Sequence, residues 1–253
     1  MTAEKEEEIL KKRLSELVNR AYFNHLCRYT SFLNLNEQNI FLQNQKLFSD
    51  VEFCFWGGYE NAERRMLCFY PDDLKEECRF PISTLKISPV HNKYYDQLSH
   101  RDYLGAILNL GIDRSKIGDI LVEDKYGYVF VEENLEDFIM TTLEKVKHTS
   151  IKCTKIEERN FSIVPKMKEI KTTVSSVRLD AILAAAFQAS RSSLVSAIGS
   201  GKIFVNGRLV ENNGYRLQEG DVISAKGMGK FIYKGMTDKT KKDRCKITIS
   251  KFI

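Results

Sequence analysis

Residues Ser176 to Asp221, SVRLDAILAAAFQASRSSLVSAIGSGKIFVNGRLVENNGYRLQEGD, constrain the fold more than any other stretch of this 253-residue chain. Leu179, Ile182, Leu183, Ala186 and Phe187 recur at i, i+3, i+4, i+7 and i+8, laying one apolar stripe along a helix that opens at Arg178-Leu179-Asp180. Ser190 predicts the N-cap of a second short helix with Leu194, Ala197 and Ile198 inward. Gly199 and Gly201 stop it. Ile203 to Val205 reads as a strand, Asn206-Gly207 as a hairpin turn, and Arg208 to Val210 as the return. Gly220-Asp221 turns the chain again before Val222-Ile223. The polar positions of this small helix–helix–hairpin unit are basic: Arg178, Arg191, Lys202, Arg208 and Arg216.

Charge along the whole chain points the same way. The formal net charge is +5, but Ser175 to Ile253 hold 14 Lys/Arg against 6 Asp/Glu, while residues 1–174 hold 25 against 28. The basic excess belongs to the last third, which suits a polyanionic partner. A helix N-terminus at Ser190-Arg191-Ser192 offers backbone N–H groups and hydroxyls to a phosphate. Arg178 and Arg191 add charge there, and Lys202, Asn206 and Arg208 flank the hairpin. Basic groups spread over short rigid elements fit the backbone of folded RNA, which is read by shape and phosphate position. Arg216 has a second reading as a structural stem packed across its turn.

This segment resembles the S4 RNA-binding domain. The resemblance rests on R-L-D at Arg178 to Asp180, Ser190-Arg191, G-K-I-x-V-N at Gly201 to Asn206, and R-L-x-x-G-D at Arg216 to Asp221. It implies an RNA-binding role for Arg178, Ser190, Arg191, Ser192, Lys202, Asn206, Arg208 and Arg216.

The rest of the chain reads as α+β in three small domains: an N-terminal α/β domain over 1–74, a central one over 75–165, and the S4-like helix–helix–β unit with C-terminal strands over 175–253. Residues 3–26 keep a helical period through Leu10, Leu14, Leu17, Ala21 and Tyr22, behind an acidic start. A helix is expected over Asn36 to Phe48, then strands at Val51–Trp56 and Arg65–Tyr70 joined by GGYENAER. The central stretch gives a strand at Arg79–Val90, a helix capped by Ser99, strands at Ile117–Glu123 and Gly127–Glu132, a helix capped by Asn134 with Leu135, Phe138, Ile139, Leu143 and Val146 inward, and a strand at Ile151–Ile156. That order, β-α-β-β-α-β, is ferredoxin-like. Lys166 to Thr173 reads as a linker or connecting strand.

Other motifs are weaker. In Tyr126 to Glu133, YGYVFVEE, Tyr128 and Phe130 share one strand face and would stack unpaired bases if that face were open. The nearby Glu132 and Glu133 favour a buried face instead. His100-Arg101-Asp102 spells part of a kinase loop, but Ile107 stands where that loop needs Asn, so Ser99 and Asp102 read as a helix cap. Arg101, Arg114 and Lys116 are left as secondary RNA contacts. The GGYENAER loop lacks G-K-[ST] and reads as a hairpin connection. The six cysteines include no C-x-x-C pair, which argues against a structural zinc site, and they read as reduced buried thiols. No metal, cofactor or catalytic residue is expected. Lacking a bilayer-length apolar run and starting with acidic MTAEKEEEILKK, the chain is expected to be cytoplasmic, without a membrane span, and monomeric.

Three further stretches extend the resemblance to most of the chain: G-G-Y-E-x-A-E-R at Gly57 to Arg64, H-R-D-Y-L-G-A-I-L-x-L-G-I at His100 to Ile112, and I-G-D-I at Ile117 to Ile120. Together with the S4-like unit they make the chain similar to the YlmH-type bacterial RNA-binding proteins. The resemblance implies a non-catalytic factor that binds ribosomal RNA on stalled large ribosomal subunits holding peptidyl-tRNA, with tRNA as a further partner and a link to cell division. Two other classes stay open: an RNA-modifying enzyme that uses its S4 unit for targeting, and a cell-division adaptor protein.

Overall fold

Helical and alternating apolar patterns each build a layer of the first of two units, 1–164 and 165–253. The computed structural model describes residues 3–60, 62–91, 95–157 and 167–252. Helix α1 (Ala3–Asn24) places Glu4 and Glu6 at its positive end. It buries Leu10, Leu14, Val18 and Ala21, whereas Tyr22, expected on the apolar stripe, is exposed. His25, at φ 52°, ends it. After β1 (Arg28–Tyr29), a reciprocal capping box between Asn34 and Glu37 starts α2 (Leu35–Gln43). This helix stops before Phe48, because Asn44 turns the chain into a 3-10 turn over Gln45–Phe48. Strands β2 (Glu52–Trp56) and β3 (Met66–Tyr70) complete an antiparallel sheet of order β1-β3-β2. Phe41 centres its core, with the rings of Phe48, Phe53, Phe55 and Phe69 at 4.8–5.7 Å.

The unit continues through β4 (Ile82–Pro89), α3 (His100–Leu108), β5 (Ile117–Glu123), β6 (Tyr126–Glu132), α4 (Glu136–Thr142), β7 (Lys145–Val146) and β8 (Thr149–Ile156). These strands form a sheet of order β5-β6-β4-β8-β7 with every neighbour antiparallel. Ser99 and Asp102 close a capping box on α3, as expected. Hydrogen bonds from the Ser99 N–H and hydroxyl, helped by Lys147, bring Asp102 down to a pKa of about 2. Asn134 does not cap α4; Glu133–Leu135 make a 3-10 turn instead. Leu143 leaves the helix with extended backbone, and Leu143 and Val146 reach the core from there and from β7.

Alternation divides β6 between two cores. Val129 and Val131 join Leu85, Ile107, Ile117 and Ile139 beneath the helices. Phe130 points the other way into a second cluster with Ile82 of β4 and with Phe32, Tyr59 and Met66, drawn from the N-terminal sheet and its loops. It is fully buried and stacks on Tyr59 at 4.9 Å between ring centres. Tyr128 is buried as well. Neither ring is open to a base, so the stacking role for Tyr128 and Phe130 is set aside in favour of packing.

The loop GGYENAER does more than connect β2 to β3. Asp119 Oδ2 accepts from the Tyr59 hydroxyl at 2.8 Å and the Glu63 N–H at 2.6 Å, and its Oδ1 accepts from the Arg64 N–H at 3.1 Å. The Arg64 guanidinium donates to the carbonyls of Ile117 at 2.9 Å, Phe32 at 2.9 Å and Arg114 at 3.3 Å. Burial raises the pKa of Asp119 and lowers that of Arg64. Gly58 sits at φ 92°, and a Cβ there would lie 2.3 Å from the Phe130 ring.

The second unit runs β9 (Met167–Val174), α5 (Leu179–Phe187), α6 (Arg191–Gly199), β10 (Ile203–Val205), β11 (Arg208–Leu209), β12 (Val222–Ala225), β13 (Gly229–Lys239) and β14 (Cys245–Phe252). Its sheet has the order β11-β10-β12-β13-β14-β9. The expected linker or connecting strand is β9, paired along its whole length with β14; Lys166 lies outside the described residues. Leu179, Ile182, Leu183, Leu194 and Ile198 of the helices cover Ile203, Ile223, Phe231, Ile247 and Ile249 of the sheet. Gln188, at φ 52°, ends α5. No single helix among the described residues is long and apolar enough to cross a membrane.

Asp119→Ala removes the acceptor of three part-buried hydrogen bonds. It should destabilise the first unit by about 3 kcal/mol, read as an earlier urea midpoint in the fluorescence of Trp56, the single tryptophan. An unchanged midpoint would mean that the loop does not depend on Asp119.

Candidate nucleic-acid interface

Around the helix starts and the hairpin, the S4-like unit presents cations while Asp180 and Asp221 are turned inward. Asp180 is buried and accepts from Arg178 Nε at 3.1 Å. Asp221 is buried and accepts from the Gln218 N–H at 2.7 Å and the Asn206 side chain at 2.8 Å. Arg178, Arg191, Lys202, Arg208 and Arg216 are exposed.

These cations gather in two places. Arg178, the cap residue of α5, meets Arg216 across an isolated antiparallel bridge. The N–H groups of Leu179 and Asp180 donate to the Tyr215 and Asn213 carbonyls, holding the 211–216 loop along the helix start. Arg191 donates from Nη2 to the Ser175 hydroxyl at 2.7 Å, just before Arg178 in the chain. Ser190 caps α6 by accepting from the Ser193 N–H at 3.3 Å, and its hydroxyl lies 3.1 Å from that of Ser192. Ser190 and Ser192 are exposed, at the positive end of α6.

Lys202 and Arg208 stand at the hairpin, apart from that group. The Lys226 N–H donates to the Lys202 carbonyl at 2.9 Å, and the Lys226 ammonium sits 5.0 Å from the centre of the Phe204 ring. Lys226 was not singled out in the sequence, because it lies outside the motif and reaches the hairpin only through the β10–β12 pairing.

Asn206 changes role. It and Gly207 have φ of 49° and 76°, the turn expected for a tight hairpin. The Asn206 side chain donates to Asp221 and accepts from the Val222 N–H at 2.9 Å. Its amide is used at both ends, so it is a clamp between the hairpin and β12 rather than an RNA ligand.

In the first unit, Arg101 is exposed at the first turn of α3. Arg114 is not: its guanidinium donates to the Ile117 and Gly118 carbonyls, and burial, then the neighbouring Arg64, pulls its pKa down to about 10. This inward role removes Arg114 from the RNA-contact set. Lys116 is half-exposed and paired with Glu132 at 3.1 Å.

Asn206→Ala should destabilise the second unit by about 2 kcal/mol while RNA affinity of the folded protein stays within twofold. Arg191→Ala should do the reverse, weakening RNA binding and flattening its salt dependence. Thermal unfolding and filter binding at several salt concentrations separate the two. An unchanged salt slope for Arg191→Ala would remove that residue from the interface.

Comparison with known proteins agrees in both sequence and order of parts. The family profile described as "Putative RNA-binding domain in YlmH" matches residues 76–160, and the S4 domain profile matches residues 177–223. The "Ribosome-associated protein quality control protein P2" of Bacillus subtilis (strain 168) is 31% identical over 229 residues, covering 88% of this chain and 87% of the relative. A solved structure titled "Cell division protein ylmH from Streptococcus pneumoniae" aligns with 62% of this chain and 93% of its own, at a TM-score of 0.49 and 20% identity. With one relative similar along most of both chains, and both domain profiles matched in sequence order, the chain belongs to the YlmH family of RNA-binding proteins with a C-terminal S4 domain.

Proposed function

We propose that this protein is a non-catalytic cytoplasmic factor that docks on structured ribosomal RNA of the large ribosomal subunit and acts in quality control of stalled subunits holding peptidyl-tRNA. The observation that carries this reading is the exposed set Arg178, Arg191, Lys202, Arg208 and Arg216, held on short elements whose aspartates, Asp180 and Asp221, are buried. Folded RNA offers phosphates at fixed positions, and a rigid basic set loses little freedom on meeting them. The name of the Bacillus subtilis relative supports the quality-control part of the reading.

The central sheet fits an accessory role. Its strand order is that of a ferredoxin-like β-α-β-β-α-β arrangement with one added edge strand. With the Phe130 face covered, contact there would fall to exposed groups such as Arg101 and Lys116 rather than to base stacking. In this reading the chain works as three functional segments, 1–74, 75–165 and 175–253, with the last supplying most of the affinity.

Co-sedimentation with purified large subunits tests the reading. Replacing the five cations together by Ala should abolish pelleting and flatten the log–log salt slope of RNA binding by about 4 units. Pelleting unchanged by that variant would sink it. A modified ribosomal nucleotide that appears only with the protein would instead make it an enzyme, and binding to division proteins with no RNA affinity would make it an adaptor.

A further inference from the structure

Three of the six cysteines meet in the first unit with a fourth on the neighbouring strand, although they are far apart in the chain. Cys27 lies between α1 and β1, Cys54 on β2, Cys68 on β3, and Cys78 after the 3-10 turn over Asp72–Glu77. The sulfurs of Cys27, Cys68 and Cys78 all lie within 4.8 Å of one another. Cys27 Sγ is 3.5 Å from Cys78 Sγ, and Cys68 Sγ is 3.7 Å from it. Cys54 stands directly opposite Cys68 in the β2–β3 register, so the two side chains share a face. Cys54 thus stands beside the three-sulfur cluster, on the strand next to Cys68.

We propose that Cys27, Cys68 and Cys78 hold a structural zinc ion, and that Cys54, on the same sheet face as Cys68, turns in as the fourth ligand when the metal binds. In tetrahedral thiolate zinc, with bonds of about 2.3 Å, neighbouring sulfurs lie about 3.8 Å apart. The separations here are close to that figure and well beyond the roughly 2.05 Å of a disulfide. Four soft donors without a carboxylate among them select zinc over magnesium or calcium. Cys68 is buried and the other three are half-buried, so the site is shielded yet reachable. The remaining cysteines lie elsewhere, Cys153 on β8 and Cys245 on β14. Lack of a C-x-x-C pair argues against zinc only when ligands come from one loop; here they come from four elements. A metal there would tie the segment leading into β4 onto the N-terminal sheet.

The test is cobalt binding by the full-length chain, purified under reducing conditions. About one cobalt per chain should bind, with intense visible bands of a tetrahedral thiolate site, and zinc should displace it. Cys78→Ser should weaken cobalt binding by at least about 100-fold, while Cys153→Ser leaves it unchanged. If Cys78→Ser does not fold, the wild-type cobalt spectrum decides alone. A wild-type protein with no thiolate–cobalt bands would overturn the proposal, and so would a Cys27–Cys78 disulfide in the protein as isolated.

Discussion

The first unit depends on one buried carboxylate. Asp119, on β5 of the larger sheet, takes three hydrogen bonds from the loop that joins two strands of the smaller sheet. A carboxylate removed from water is costly unless its lone pairs are met, and here two backbone N–H groups and a tyrosine hydroxyl meet them. The bonds seat Tyr59 on Phe130 and bring the Arg64 guanidinium to the carbonyls of Ile117, Phe32 and Arg114. Polar and apolar parts of this contact reinforce each other. The carboxylate positions the loop, and the loop covers the aromatic face of the sheet.

The second unit repeats the device on a smaller scale. Asp221 gathers the Gln218 N–H and the Asn206 amide, and Asn206 in turn clamps β12. Buried aspartates in both units organise loops instead of facing solvent. The consequence for function lies in the sign of what remains outside. With Asp180 and Asp221 turned inward, the surface around the starts of α5 and α6 and around the hairpin is basic. In the proposed reading, affinity for RNA then follows from how the small fold satisfies its own backbone.

Much of the fold was legible in sequence. The helices of the S4-like unit, its hairpin turn, the α3 capping box and the β5–β6 strands follow from local period and turn chemistry, which act over a few residues. Local rules failed where a competing segment decided the outcome. Asn134 has the chemistry of a cap, but a 3-10 turn takes its place. Leu143 and Val146 keep their inward direction after the helix has ended, whereas Phe138, expected inward on the same pattern, is exposed. Among the site residues, Asn206 and Arg114 read as ligands by type and position. Their partners, Asp221 and the Ile117 and Gly118 carbonyls, meet them only when the chain turns back.

By itself the sequence determined the order of elements, the concentration of basic charge in the last third, and the family motifs, because periodicity, charge and spacing are properties of the chain. Tertiary structure alone decided which polar groups are used up internally and which remain outside. It buried Phe130 beneath a loop from another sheet, drew Lys226 to the hairpin, and brought three distant cysteines within 4.8 Å of one another. Each outcome depends on strand pairing and burial between distant segments. No local window carries that information, since the free energy of such contacts belongs to two segments at once.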